Sequence, residues 1–284
     1  MAQATLDPLV RPMHTEGMTA INVRDLRFDL AEVPRDWHPA GSVATTFFDN
    51  LSIFFPPGER FFIASVKAHR GFIGDDALRA DVVAFCTQEG IHSREHAAYN
   101  RLLERGGIPA TQMEGRIASL LAKRNETVPA RRQLAATVAL EHFTAIMAHV
   151  LLSQDELLDG ADPQMAALWR WHAIEEIEHK AVAFDVYRAA GGTYSERAAA
   201  MVLSTLIFFL QLTGQQFRIM RARRNLFDVR GWVSFLRYSL IKPAWMARLI
   251  PLYLEFFRRD FHPTDQDNRE LLQSWQSELE AEAA

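Results

Sequence analysis

Two short motifs in this chain, Glu89-x-x-His92 and Glu176-x-x-His179, pair a carboxylate with an imidazole at the same spacing. Each lies in a stretch whose pattern predicts a long helix. Residues three apart on a helix lie about 60° apart around its axis, so both side chains of a pair can reach one ion from the same face. The repeated spacing therefore indicates a site for two metal ions.

Further acidic and imidazole side chains follow the order of a ferritin-like four-helix bundle, which has a lone Glu on each of two helices and a Glu-x-x-His pair on each of the other two. Glu59 precedes the first pair, and Glu141 lies between the pairs. His172 lies one turn before Glu176 on the last helix, within the same arc as the second pair. The candidate metal ligands are Glu59, Glu89, His92, Glu141, His172, Glu176 and His179.

The donor types restrict the metal. Carboxylates suit hard ions and can bridge two of them, imidazole adds a borderline ligand, and the absence of thiolate from the set disfavours structural zinc. We expect two iron ions, with manganese as the alternative.

Three further side chains could support the ligands without binding metal. His96 and Tyr99 share a helix face with His92, although a structural role is an equal alternative for His96 and a core position is the commoner role of an aromatic such as Tyr99. Glu175 adjoins Glu176 and competes with it for the ligand position, which only the Glu-x-x-His spacing assigns to Glu176. We interpret one further group as structural: His142, His149 and Cys86.

The ligand order Glu, Glu-x-x-His, Glu, His-x-x-x-Glu-x-x-His resembles that of the non-haem di-iron N-oxygenases, which oxidise arylamines. The segments FPPGERFF, FCTQEGIHSREHAAYN and WHAIEEIEHKAVAFDVY also resemble a widespread bacterial family of predicted metal-dependent hydrolases, over roughly residues 40 to 265. The first resemblance implies that all seven candidates bind metal and that reduced iron activates O₂. Both resemblances share metal binding.

Three functions follow as hypotheses. The first is an O₂-activating di-iron oxidoreductase that acts on a small apolar organic substrate and takes electrons from a donor of unknown identity. The second is a metal-dependent hydrolase that uses the same ligands to activate water. The third is a non-catalytic iron-binding or membrane-docked protein.

Helices must position these residues, and the pattern is helical from residue 42 onward. Pro56, Pro57 and Gly58 predict a break, after which Glu59 lies in the first turn of a new helix. Glycine pairs and prolines delimit the later helices, predicted at about residues 75–104, 112–123, 129–153, 164–190 and 195–224. Pro243 and Pro251 divide the following segment into short amphipathic pieces, and an acidic helix closes the chain.

The predicted fold is an all-α, ferritin-like four-helix bundle with a di-metal centre. Residues 1–40 form an N-terminal arm in which VRDLRFDL could be a short strand, residues 41–192 form the metal-binding bundle, and residues 193–284 form a C-terminal helical extension.

Composition excludes several classes of protein. With 284 residues, 49% hydrophobic and 23% charged, the chain is globular, and a net charge of −4 offers nothing that favours nucleic acid as a partner. The one cysteine fits a reducing compartment, and the N-terminus lacks the apolar stretch of a secretory signal. We expect a cytoplasmic protein.

The C-terminal third combines an uncharged run with a basic segment. No charged residue occurs at positions 198–217, and ten Lys or Arg against two acids follow between Arg218 and Arg259. A helix that covers the bundle is one interpretation, with a homodimer contact as a variant. The other is a peripheral membrane contact through residues 198–259, at the inner face of the membrane.

Overall fold

The computed structural model describes residues 21–283, and its regular structure there is helical throughout. The prediction of an all-α fold is confirmed. Ten α-helices follow one another: α1 (Ser42–Ala68), α2 (Asp76–Arg105), α3 (Ala110–Thr127), α4 (Ala130–Leu152), α5 (Pro163–His179), α6 (Val182–Ala189), α7 (Tyr194–Ala222), α8 (Val229–Leu240), α9 (Trp245–Glu255) and α10 (Arg269–Ala283).

Helices α1, α2, α4 and α5 form the central bundle. α1 packs along α2 and α4 along α5, and the two pairs meet through α1 with α4 and α2 with α5. One apolar cluster, which includes Phe62 and Phe85, fills one end of the bundle. A second, which includes Ile53 and Leu168, fills the other end. On α1 and α2 the metal-ligand candidates lie between these two clusters in sequence.

The predicted break at Pro56–Pro57 is wrong, because α1 continues through both prolines. Pro56 has no N–H to donate to the carbonyl of Ser52, one turn earlier. Asn100 of α2 supplies the missing donor, since its Nδ2 lies 3.2 Å from Ser52 O. Glu59 therefore lies in the second half of a long helix and not in a first turn.

Helix ends largely follow the predicted signals. The Asp75 side chain accepts from the N–H of Ala77 at the start of α2, and Asp162 caps α5 ahead of Pro163. The single helix expected over residues 164–190 is divided into α5 and α6 at Lys180. The ammonium of Lys180 donates to the carbonyl of Gln266 and to the side chain of Asn268, both of which precede α10. The backbone of Lys180 itself keeps helical dihedral angles.

The arm is described from residue 21, and its first 20 residues lie outside the described part. The expected strand in VRDLRFDL is wrong, because residues 21–30 have no regular structure. Their N–H groups bond instead to carboxylates of the bundle: Asn22 to Glu178 and Arg24 to Glu175. The arm is thereby held against α5.

Helices α7, α8 and α9 cover one side of the bundle, with α7 packed on α1 and α4. Pro243 separates α8 from α9, as predicted, but Pro251 lies inside α9. The carbonyl that Pro251 leaves without a donor belongs to Ala247, an exposed residue that water can reach. The division of the chain into three parts at residues 40 and 192 stays a prediction.

Two described helices are long and apolar enough to cross a membrane, α4 and α7. The apolar stretch of α4 is 72% buried, as befits a core helix, whereas that of α7 is 22% buried. Most residues in the apolar stretch of α7 are thus at least partly exposed.

Candidate metal centre

The structure brings all seven ligand candidates together at the middle of the bundle. They form three overlapping groups in which one potential ligand atom of each residue lies within 4.8 Å of the others. The groups are Glu59 with His92 and His172, Glu89 with His92 and Glu176, and Glu89 with Glu141 and His179.

Glu176 lies between the two halves of this cluster. Its Oε1 is 3.1 Å from Nε2 of His172 and 3.7 Å from Nδ1 of His92. Its Oε2 is 3.7 Å from Nε2 of His179, which in turn lies 3.4 Å from Glu89 Oε1. A carboxylate whose two oxygens face different groups of ligands has the placement that bridging two ions requires.

Every one of the seven side chains is buried, and every one has a buried polar atom without a hydrogen-bond partner. Such atoms are rare in native proteins because an unpaired buried polar group is costly. Here they converge on one point. The unpartnered atoms are Glu59 Oε1, both oxygens of Glu89 and Glu141, Glu176 Oε2, His92 Nδ1, His172 Nε2 and His179 Nε2.

Burial shifts the titration of the cluster strongly. It raises the pKa values of Glu59 and Glu89 well above the usual carboxyl value and that of Glu141 to about 8. Burial acts on Glu176 in the same direction, but the facing imidazoles outweigh it and hold the pKa of Glu176 well below normal. A dry group of carboxylates binds either protons or cations, so its chemistry fits a metal.

The outward nitrogens of the three histidines are held by other side chains. Glu175 Oε2 accepts from Nε2 of His92 at 3.0 Å, and Gln88 Oε1 lies 3.0 Å from Nδ1 of His179. A carboxylate can only accept, so the proton of His92 is on Nε2 and the lone pair of Nδ1 faces the cluster. Support of this kind orients an imidazole for metal binding.

His172 is supported by another histidine. Nε2 of His96 lies 3.0 Å from Nδ1 of His172, and Nδ1 of His96 lies 3.0 Å from the hydroxyl of Ser52. His96 and Glu175 thus each contact a ligand candidate, and their supporting role stays a prediction.

Tyr99, the third expected supporting residue, lies elsewhere. Its hydroxyl donates to Asp49 at 2.6 Å and accepts from Trp37, and Asp49 pairs with Arg223, which immediately follows α7. This network fixes the arm and α7 to the bundle. The reason is that Tyr99 lies about two helical turns beyond His92, and its hydroxyl there meets Asp49 of α1.

His142, His149 and Cys86, which we interpret as structural, contact residues outside the metal-ligand cluster. Nε2 of His142 lies 3.1 Å from the carbonyl of Leu252, and Nδ1 of His149 lies 2.7 Å from the amide of Asn268. Cys86 packs at the margin of an apolar cluster.

Four supporting residues were missed in the sequence. Ser93 donates to Glu59 at 2.8 Å, and Gln88 links His179 to Glu178. Arg24 of the arm donates to Glu178 and Glu175. Gln88 and Glu178 each adjoin a ligand candidate, which is the signal that could have found them, whereas nothing in the sequence connects Arg24 with α5.

An inner apolar cavity adjoins the cluster, and an outer one shares part of its wall with the inner cavity. The inner cavity, of about 70 Å³, is lined by His172 and Glu176 together with residues such as Leu51 and Phe55. Among the described residues that line it there is no Lys, Arg or Asp. The outer cavity, of about 560 Å³, lies beneath α7, α8 and α9.

A family profile described as predicted metal-dependent hydrolase matches residues 22–267. The chain belongs to this family. The matched range contains every ligand candidate of the metal centre and the helices α7 to α9. The description of the family and the buried cluster both indicate that the protein depends on metal. No curated protein and no solved structure matches the chain significantly.

Proposed function

We propose that this protein is a hydrolase that holds two divalent metal ions in the bundle and cleaves a carboxylic ester with an apolar acyl chain. The observation that carries the proposal is the convergence of unpartnered, buried carboxylate and imidazole atoms from four helices. The description of the family supports hydrolysis as the reaction.

The charges of the cluster support two ions. Four carboxylates, Glu59, Glu89, Glu141 and Glu176, lie buried together, and two divalent ions would balance their four negative charges. Glu59, His92 and His172 would hold one ion, and Glu89, Glu141 and His179 the other, with Glu176 between them.

The ions would supply Lewis-acid activation of water and of the ester carbonyl. The side chains of the chain place the substrate. His172 and Glu176 are the ligands that line the inner cavity, so the ester group lies against them. The ring of Phe55 lies 4.4 Å from that of His172 and excludes bulk water from this side.

The lining of the inner cavity supports an apolar acyl chain. The described residues that line the cavity include no Lys or Arg to pair with a charged group on the acyl chain. Leu51 and Met147 present only apolar atoms.

Anaerobic assays test the reaction. Protein loaded separately with Fe(II), Mn(II) and Zn(II) is expected to cleave nitrophenyl esters in a metal-dependent manner, and Glu176→Gln is expected to abolish turnover. Glu126→Gln, at an exposed position of α3, is the matched control and should behave as the unsubstituted protein. Absence of cleavage with all three metals would refute hydrolysis.

O₂-dependent oxidation of an apolar substrate by an iron-loaded centre is the second candidate. It is favoured by the lack of a cationic side chain or a non-ligand acid in the inner cavity, because a hydrolase usually places both near its metals. Reduced, iron-loaded protein would then consume O₂ and show no anaerobic esterase activity. An oxygen electrode distinguishes the two candidates.

A further inference from the structure

An exposed apolar surface extends over α7, α8 and α9. On α7 the exposed side chains recur every three or four residues and so form one stripe. Exposure reaches 64% for Leu206 and 71% for Leu210. The surface, here called the apolar face, comprises Val202, Leu203, Leu206, Phe209, Leu210, Phe217, Val233, Leu236, Leu240, Ile250 and Leu254.

Exposed cations border the apolar face. On α8, Arg230 and Arg237 lie roughly 60° around the helix from the stripe of Val233 and Leu240. Nine of the ten Lys and Arg residues between positions 218 and 259 are exposed. Within the part of the chain whose side chains are described, residues 21–277, the exposed cations without an ion pair shorter than 4.0 Å include Arg218, Arg221, Arg230, Arg237, Lys242 and Arg248.

We propose that the apolar face docks on an anionic lipid bilayer and that the cavities beneath it conduct an acyl chain from the bilayer to the metal centre. Apolar side chains would enter the interface while the bordering cations meet lipid phosphates. The docking step is independent of the chemistry at the metals, whereas the identity of the substrate rests on the proposed function.

The adjacency of the cavities supports the passage. Phe209, Phe217, Leu240 and Ile250 belong both to the apolar face and to the wall of the outer cavity. The outer and inner cavities in turn share four wall residues, and the inner one is lined by His172 and Glu176. The shared residues are Phe47, Leu51, Met147 and Trp245.

Charge favours lipid over a second copy of the chain as the occupant. In a symmetric dimer each patch faces itself, so the cations bordering one apolar face would meet those of the other. Like charges brought together in this way oppose association. Anionic headgroups remove that repulsion.

Both ends of α7 are tied to the protein, which favours lying on the membrane over crossing it. Arg197 donates at 2.7 Å to the carbonyls of Phe256 and of Arg258, and Arg223 pairs with Asp49 at 3.0 Å. Helix α7 also buries Leu212 and Ile219 against the bundle.

Vesicle flotation of the full chain tests docking. Vesicles of equal parts phosphatidylcholine and phosphatidylglycerol should carry the protein upward, and pure phosphatidylcholine should carry much less. Leu206→Glu with Leu210→Glu should abolish flotation, whereas Val83→Glu, an exposed apolar site on α2, should not. Arg230→Gln with Arg237→Gln should weaken binding roughly 30-fold.

Two results would overturn docking. One is a wild-type protein that remains with neither kind of vesicle. The other is a wild-type dimer in sedimentation that Leu206→Glu converts to a monomer, which would assign the apolar face to a second copy. Neither readout involves turnover, so failure of docking and failure of the hydrolase proposal are distinguishable.

Tryptophan quenching tests the passage. Trp245 lies on the wall shared by the cavities, so lipids brominated midway along their acyl chains should quench its emission. Trp245→Phe should lower the quenched fraction, and Trp275→Phe, at a buried site beside α5, should not. Equal quenching in wild type and Trp245→Phe would exclude entry of the chain.

Discussion

Glu175 Oε2 accepts a hydrogen bond from Nε2 of His92 at 3.0 Å, while the neighbouring Glu176 turns its oxygens toward the cluster. Two consecutive carboxylates on one helix therefore have different roles. Glu176 faces the other ligand candidates, whereas Glu175 would orient His92 and increase its basicity if that imidazole binds metal.

Glu175→Gln should lower metal affinity by about tenfold while the fold is retained. The amide can still accept from His92, but its lack of charge makes the imidazole a weaker donor to metal. Competition with a chelator of known affinity measures the change. Glu114→Gln, on the surface of α3, is the control, and equal affinity of both variants would contradict a supporting role for Glu175.

Removal of the metal should lower the melting temperature. Ions present at about a thousand times their dissociation constant stabilise the folded state by about 4 kcal/mol, which corresponds to roughly 10 °C for a chain of this size. Calorimetry before and after dialysis against chelator measures the shift. Glu141→Gln should melt at nearly the same temperature in both states, and a large shift in that variant would argue against the assignment of Glu141.

Asn100→Ala should lower the free energy of unfolding by about 1–3 kcal/mol. The substitution leaves the carbonyl of Ser52 without the donor that replaces the missing N–H of Pro56. Urea denaturation followed by circular dichroism measures the loss. Asn125→Ala, near the end of α3, serves for comparison, and an equal effect at both sites would remove the special role of Asn100.

Acid should destabilise the protein through His38. Burial lowers the pKa of His38 to about 4 from an ordinary value of 6.5. The unfolded chain takes up the proton first, so the stability contributed by neutral His38 is complete above pH 6.5 and is lost as the pH falls toward 4. The contribution is about 3 kcal/mol.

Denaturation at several pH values checks this effect. His38→Gln cannot titrate, so its stability should fall less steeply between pH 6.5 and pH 4 than that of the unsubstituted protein. Parallel slopes would show that His38 does not contribute. Both proteins are compared without metal, because protons compete with metal ions for the ligands and loss of the ions would itself change stability.

The sequence predicts the cluster well because helical periodicity alone places a Glu and a His three residues apart on one face. Once four helices pack together, buried carboxylates must converge or remain unpaired. The proximity of Glu89 and Glu176 could therefore be predicted. The same reasoning missed the continuity of α1. Local sequence predicts a helix break at a proline. The donor that replaces the missing N–H of Pro56 comes from Asn100 on another helix, which local sequence does not show.

Residues joined only through the tertiary fold could not be predicted. Arg24 lies in a segment without periodicity, and its contacts with Glu175 and Glu178 arise from how the arm crosses α5. Tyr99 shares the helix face of His92, but the reach of its side chain and the position of Asp49 decide where its hydroxyl goes. The pattern predicts which residues share a helix face, but it does not predict the distances between side chains of different segments.

The hold of the arm on α5 determines where the chain can be shortened. Truncation immediately before α1 would remove the guanidinium of Arg24 and the peptide N–H groups of Asn22 and Arg24. The buried carboxylates of Glu175 and Glu178 would lose these donors, and Glu175 contacts His92. A minimal fragment that keeps its ligands aligned must therefore start no later than Asn22, the residue at which the family match also begins.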